Sequence, residues 1–119
     1  MTITTPEIAD FDRCDPGLLA SLAHYGPAMV SDAMERFGAL DSEIQAQWPT
    51  AGLVGNAFTV WTRSGDNLAV HAALDLVAPG DILVVNGSGD KSRALIGEMI
   101  GIKAKARGVA GFVIDGAAR

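Results

Sequence analysis

Apolar and polar positions are most sharply patterned in the last third of the chain. Ile82-Leu83-Val84-Val85 is a continuous apolar run between Pro79-Gly80-Asp81 and Asn86-Gly87-Ser88-Gly89-Asp90, which is how a strand buried on both faces reads. Leu95, Ile96, Met99, Ile100 and Ile102 then recur near helical spacing, with Glu98, Lys103, Lys105 and Arg107 on the wet side. That pattern predicts a helix following the glycine-rich turn and stopped at Gly108, which is free to adopt positive φ. Val109 to Ile114 is a second apolar run, closed by Asp115-Gly116. Strand, helix and strand in this order predict a parallel crossover, which brings both C-terminal strand ends to one edge.

The earlier pattern is helical first. Met1 to Pro16 reads as an irregular arm packed by Ile3, Ile8 and Phe11. Asp15 can cap a helix with Pro16 in its first turn, carrying a Leu18, Leu19 and Leu22 stripe to Tyr25-Gly26. Ser31 is a candidate cap for a second helix over Asp32 to Phe37, with Gly38 as the stop. Trp48 is expected to pack over the sheet. Leu53-Val54 and Ala57 to Thr62, interrupted by Gly55-Asn56, predict a bent strand. Leu68, Val70, His71, Leu74 and Val77 form a helical stripe after the Gly65-Asp66-Asn67 turn. His71 falls on or beside the apolar face and has no i, i+4 partner, so it reads as structural, and His24 has a weaker claim to chemistry still. With the strand and helix alternation that follows, the expectation is α/β layers in a single domain spanning residues 1–119.

Composition narrows the class. The chain has 119 residues, 49% apolar and 19% charged, a globular composition with a modest core. A formal net charge of −5 and nine scattered Lys and Arg residues argue against nucleic acid as a direct ligand. Cys14 stands alone, so neither a disulfide framework nor a cysteine metal cage is expected, and a cytoplasmic protein fits. The opening MTITTPEIADFDR has no basic start or apolar core, so no signal peptide is read there, and no apolar run approaches a membrane span.

The candidate chemistry sits where the crossover gathers its ends. A helix N-terminus offers free N–H groups and a positive dipole end. Arg119 could bring a guanidinium to the same edge, making a carboxylate or phosphate site. The spacing alone better suits a turn that only connects and a surface arginine, since glycine-rich turns before helices are common.

Further residues carry a resemblance. PGDILVVNG, A-x-x-G-E-M-I and KARGVAGFVIDGAAR, preceded in order by SDAMERFG, GLVGNAFTV and GDNLAVHAAL, resemble the RraA-like family from about Ser31 to Arg119. That family contains metal-dependent 4-hydroxy-4-methyl-2-oxoglutarate aldolases and the RraA regulators of ribonuclease E. The resemblance implies a layered α/β/β/α sandwich assembled as trimers or hexamers, with sites at subunit interfaces. It implies cleavage of a 4-hydroxy-2-oxo acid to pyruvate with Mg²⁺ or Mn²⁺, and oxaloacetate decarboxylation through the same enolate.

By position, Gly97-Glu98-Met99-Ile100 resembles the family's pyruvate-binding backbone segment. Glu98 matches the acid that holds a metal-bound water and relays protons, and Arg119 the arginine on the pyruvyl oxygen. Members of the family are longer, and the principal metal-ligating aspartate is expected just beyond Arg119. Within the chain, Asp90, Asp115 and Glu98 are the acids expected near the site. Asp115 could serve as a substitute ligand or simply satisfy its turn. Lys103 and Lys105 read as solvent-facing, which disfavours a Schiff base. The alternative is a ribonuclease E ligand without catalysis, for which an acidic chain suits a basic partner. A methyltransferase role finds no support, because Gly87-Ser88-Gly89 lacks the acidic strand end of a nucleoside site.

Overall fold

The computed structural model describes residues 10–47 and 52–119. Two short helices open the described chain: α1 (Pro16–Leu22) and α2 (Pro27–Ala33). Asp15 caps α1 through its carboxylate, which accepts from the Gly17 N–H at 2.7 Å. Neither helix buries a residue, and Leu18 and Leu22 of the leucine stripe remain exposed.

α2 differs from the sequence expectation. It starts at Pro27, whose fixed φ suits a first helical position, so Ser31 lies inside the helix rather than capping it. The chain leaves α2 through Glu35 and Arg36 in left-handed backbone conformations, ahead of Gly38. The predicted helix over residues 32–37 is therefore mostly a turn. Ile3, Ile8 and Trp48 lie outside the described residues.

The centre is a parallel sheet of β1 (Ala57–Trp61), β2 (Ile82–Asn86) and β4 (Gly111–Asp115), in the order β1-β2-β4. Val60, Val85 and Ile114 align across it. The crossovers carry α3 (Leu68–Leu74) and α4 (Glu98–Ala106). Both pack on the face made by Val60, Leu83 and Val85, where Val70, Leu74, Leu95, Ile100 and Ala104 complete the core. Asp75 ties the two helices, 2.9 Å from Lys103 Nζ and 3.5 Å from Arg107 Nη2. The Lys103 hydrogen bond is the main reason the Asp75 carboxyl sits below the usual carboxylate range.

The opposite sheet face, with Thr59, Trp61, Val84 and Val113, carries no helix among the described residues, and Trp61 is 81% exposed. Parallel sheets are ordinarily covered on both faces. Leu53 reaches the start of that face, beside Gly111, but Leu53-Val54 is not part of the strand.

The larger departure concerns Leu95 and Ile96. They do not belong to the helix but to a three-residue strand, β3 (Ala94–Ile96), which pairs in parallel with β5 (Ala117–Ala118). The α4 N-terminus thus follows this second small sheet, not the Gly87–Asp90 turn. That turn is held separately, its Gly87 and Gly89 N–H groups donating to the Asp115 carbonyl at 3.0 and 3.2 Å.

The arm before α1 is clamped by a contact 68 positions away. Arg13 donates from Nε and Nη2 to the fully buried Asp81 carboxylate at 2.8 and 2.6 Å, and the Ala78 N–H adds a third bond at 2.8 Å. The guanidinium holds the Asp81 carboxyl below its ordinary range against the effect of burial. Nearby, Phe11 meets Phe58 edge to face at 5.8 Å.

Candidate functional site

A backbone turn at Gly97 builds the site. Gly97 is extended (φ −152°, ψ −166°), and the first helical bond of α4 runs from the Gly101 N–H to the Gly97 carbonyl at 2.9 Å. The N–H groups of Glu98, Met99 and Ile100 therefore lie outside the helix's own ladder, at its positive dipole end. Among the described residues no side chain caps them. Ile100 is buried and anchors the first turn in the core, whereas the Met99 side chain is 80% exposed.

Arg119 arrives from the other arm of the small sheet. Its own N–H donates to the Ile96 carbonyl at 3.1 Å, continuing the β3–β5 pairing by one residue. Its side chain then crosses Gly97 so closely that a methyl group there would lie 3.4 Å from both Cγ and Nε. A methyl group would thus meet Arg119 at van der Waals distance, and the extended backbone is open to any residue. Gly97, Glu98, Met99, Ile100 and Arg119 line one hollow of about 570 Å³. Asn67 and His71 of α3 stand in its wall with them.

Not every residue named from sequence reaches this place. Asp90 lies elsewhere, accepting from Ser64 Oγ and from the Ser92 N–H and Oγ, and its carboxyl is lowered to about 2, first by the Ser64 hydroxyl and then by Ser92. Asp115 lines a different depression, of about 1110 Å³ along β1 and the open sheet face. That depression has Asp41, Glu43 and Asp115 in its lining and no cationic side chain, so its charge disfavours an anionic ligand. His71, expected to be structural, is exposed and faces the hollow's space. The sign that could have found it is Asn67-x-x-x-His71, a spacing that puts both side chains on one face of a helix.

A hard cation takes several oxygen ligands. The hollow offers one carboxylate, Glu98, and one imidazole, His71. Among the described residues no group of three or more His, Cys, Asp or Glu could hold a metal ion. These residues do not by themselves fit a Mg²⁺ or Mn²⁺ site. They do fit a small anion, with main-chain N–H groups and a guanidinium side by side. No described helix is long and apolar enough to cross a membrane.

Comparison with known proteins identifies the family and the fold. The pattern defining the RraA-like family (Aldolase/RraA) matches residues 27–119. A protein of Halalkalibacterium halodurans, provisionally named a 4-hydroxy-4-methyl-2-oxoglutarate aldolase, is 43% identical over 90 residues, covering 76% of this chain and 43% of its own length. The chain thus spans less than half of that relative. Among solved structures, RraAS2 of Streptomyces coelicolor, described as an unusual member of the RNase ES inhibitor RraA family, superposes with a TM-score of 0.76 at 29% identity, covering 86% of this chain and 55% of that one. A Thermus RNA-processing inhibitor RraA gives a TM-score of 0.70 at 28% identity, with 80% and 57% covered. The architecture is the α/β fold of these proteins.

Proposed function

This chain belongs to the RraA-like family, and on that footing we propose that it is a carbon–carbon lyase, an aldolase that releases pyruvate from 4-hydroxy-2-oxo acids such as 4-hydroxy-4-methyl-2-oxoglutarate. What supports this most is that the Arg119 guanidinium and the first N–H groups of α4 line the same hollow around Gly97.

In this reading the substrate's C1 carboxylate lies on the Glu98, Met99 and Ile100 amides, and its C2 oxygen faces Arg119. A base takes the proton of the C4 hydroxyl, and the C3–C4 bond breaks. The bonding pair passes into the C2–C3 enolate as the second oxo compound leaves. Negative charge then accumulates on the C2 oxygen, where a preorganised guanidinium lowers the barrier most. The enolate takes a proton at C3 and becomes pyruvate. Glu98, the one carboxylate of the hollow, is the group assigned to carry the proton from the C4 hydroxyl to C3. Oxaloacetate reaches the same enolate by losing CO₂, so its decarboxylation belongs to the same site. The reading includes a divalent cation, Mg²⁺ or Mn²⁺, whose oxygen ligands would have to come largely from outside the described residues. It also includes a cytoplasmic homotrimer or hexamer, since an uncovered parallel sheet face favours association.

The test is pyruvate release by the purified protein, coupled to lactate dehydrogenase, with Mg²⁺ or Mn²⁺ added. Absence of release from both 4-hydroxy-4-methyl-2-oxoglutarate and oxaloacetate sinks the proposal. A second reading is favoured by the names of the two structural neighbours: a ligand of ribonuclease E that inhibits without catalysis. The net charge of −5 suits a basic partner. Retention of ribonuclease E segments at low ionic strength, without pyruvate release, would select it.

A further inference from the structure

We propose that Asp90 is a positioning residue for the hollow: its carboxylate braces the loop after β1 against the loop after β2, and so holds the hollow's walls at their working distance. The proposal rests on the reading of the hollow as a pyruvate site. It adds a residue outside the hollow on which the hollow's shape depends.

Three loops leave the C-terminal ends of the central strands, and each runs within a few residues into one wall. Residues 62–66 follow β1 and lead into Asn67 and α3. Residues 87–93 follow β2 and lead through β3 to Gly97 and the α4 amides. Gly116 follows β4 and leads through β5 to Arg119. The second and third loops are joined by backbone, through the Gly87 and Gly89 N–H bonds to the Asp115 carbonyl. The first loop is tied differently. Its Thr62 N–H donates to the Asn86 carbonyl at 3.2 Å, but among the described residues no backbone bond links residues 63–66 to the second loop.

Asp90 supplies that link. Its carboxylate accepts from the Ser64 hydroxyl across the gap, and from the Ser92 N–H and Oγ at 2.8 and 2.6 Å within its own loop. The Ser64 hydroxyl is the largest cause lowering the Asp90 carboxyl to about 2, so the brace is ionised throughout the neutral range. Beside it the Arg93 stem crosses Gly65 so closely that a methyl group there would lie 2.7 Å from Cδ. On the other side, a methyl group on Gly116 would lie 3.5 Å from the Asp90 carbonyl oxygen. All three lead-in loops therefore meet at this residue. A turn that only closed itself would need Ser92 and have no use for Ser64.

The test reads amide exchange and pyruvate affinity on the same proteins. Ser64→Ala cuts the cross-loop bond and leaves the Ser92 turn; Ser92→Ala trims the turn and leaves the cross-loop bond; Asp90→Ala removes both. Asp90→Asn keeps an oxygen for Ser92 and an NH₂ that can donate to the Ser64 hydroxyl, so it is the rescuing variant. Exchange at residues 94–96 and 117–119 should rise about fivefold in Ser64→Ala and Asp90→Ala, the worth of one ordinary hydrogen bond, while residues 82–86 of β2 keep the wild-type rate. Calorimetric titration should show pyruvate weakened at least about threefold in the same two variants, with Ser92→Ala and Asp90→Asn within about twofold of wild type. A silent Ser64→Ala, an equal rise in β2, an Asp90→Asn protein no better than Asp90→Ala, or pyruvate affinity indifferent to Ser64 overturns the proposal. If exchange responds as expected but the wild type does not bind pyruvate, the brace stands and the reading of the hollow as a pyruvate site falls.

Discussion

Replacing Asp81 with asparagine isolates the contact that fastens the arm before α1 to the sheet. Asp81 is fully buried and accepts two hydrogen bonds from Arg13, at 2.8 and 2.6 Å, and one from the Ala78 N–H at 2.8 Å. An amide oxygen can still accept from Ala78, but its NH₂ faces a guanidinium that has only donors. The oxygen that accepts from Ala78 also accepts from Arg13 Nη2, so that bond persists without the carboxylate charge while the Nε bond is lost, and Arg13 can turn toward water because its side chain is 31% exposed. The cost should therefore fall below that of a stranded buried charge, at about 2 kcal/mol near neutral pH. In a domain of this size that is roughly an 8 °C fall in Tm.

The pH dependence gives the sharper check. The folded pKa of Asp81 is depressed, chiefly by the Arg13 hydrogen bond. Its contribution is complete above the unfolded value, about 3.9, and is lost as pH falls from there through the folded pKa. Urea titrations of both proteins should show a constant gap from pH 5 to 8 that narrows below about pH 4. A gap under about 0.5 kcal/mol at pH 7, or one that does not narrow in acid, would refute the assignment.

Other expectations follow from the geometry. Arg119→Gln should weaken pyruvate binding at least about tenfold with unchanged thermal stability, read by calorimetry and a melting scan, because Arg119 is exposed and lines the hollow. Gly97→Ala should leave stability within about 1 kcal/mol in urea, since φ of −152° suits alanine and the methyl would meet Arg119 at van der Waals distance; a larger loss would refute that geometry. Gly87→Ala should destabilise by about 2–3 kcal/mol in urea, because its methyl would sit 2.4 Å from Leu95 Cδ1 and 2.7 Å from the Asp115 carbonyl oxygen. Leu83→Ala, at a fully buried centre of the sheet, should cost about 3–5 kcal/mol in the same measurement.

What the sequence disclosed depended on range. Ile82 to Val85 and Val109 to Ile114 announce strands by composition alone, and the parallel crossover follows from their order. Leu95 and Ile96 misled because a three-residue strand has no periodicity of its own. Its partner is Ala117-Ala118, whose small side chains give no strand signal. At α2 two start signals competed, and Pro27, already fixed in helical φ, prevailed over Ser31. The Arg13–Asp81 pair spans 68 positions and leaves no local trace. At the hollow, Gly97 to Ile100 and Arg119 stood out through family resemblance rather than pattern. His71 read as structural because it stood without an i, i+4 partner beside an apolar stripe, and Asn67 read as part of a turn and cap.

The two-residue strand β5 has a thermodynamic meaning beyond its size. The ribbon it forms with β3 leads on one side straight into the α4 amides and on the other straight into Arg119. Whenever that ribbon unzips, the two halves of the proposed anion site separate. Observed affinity is then the intrinsic affinity scaled by the fraction of time the ribbon is closed. By the same linkage, an occupant that bridges both halves must slow amide exchange along the ribbon, at positions it never touches.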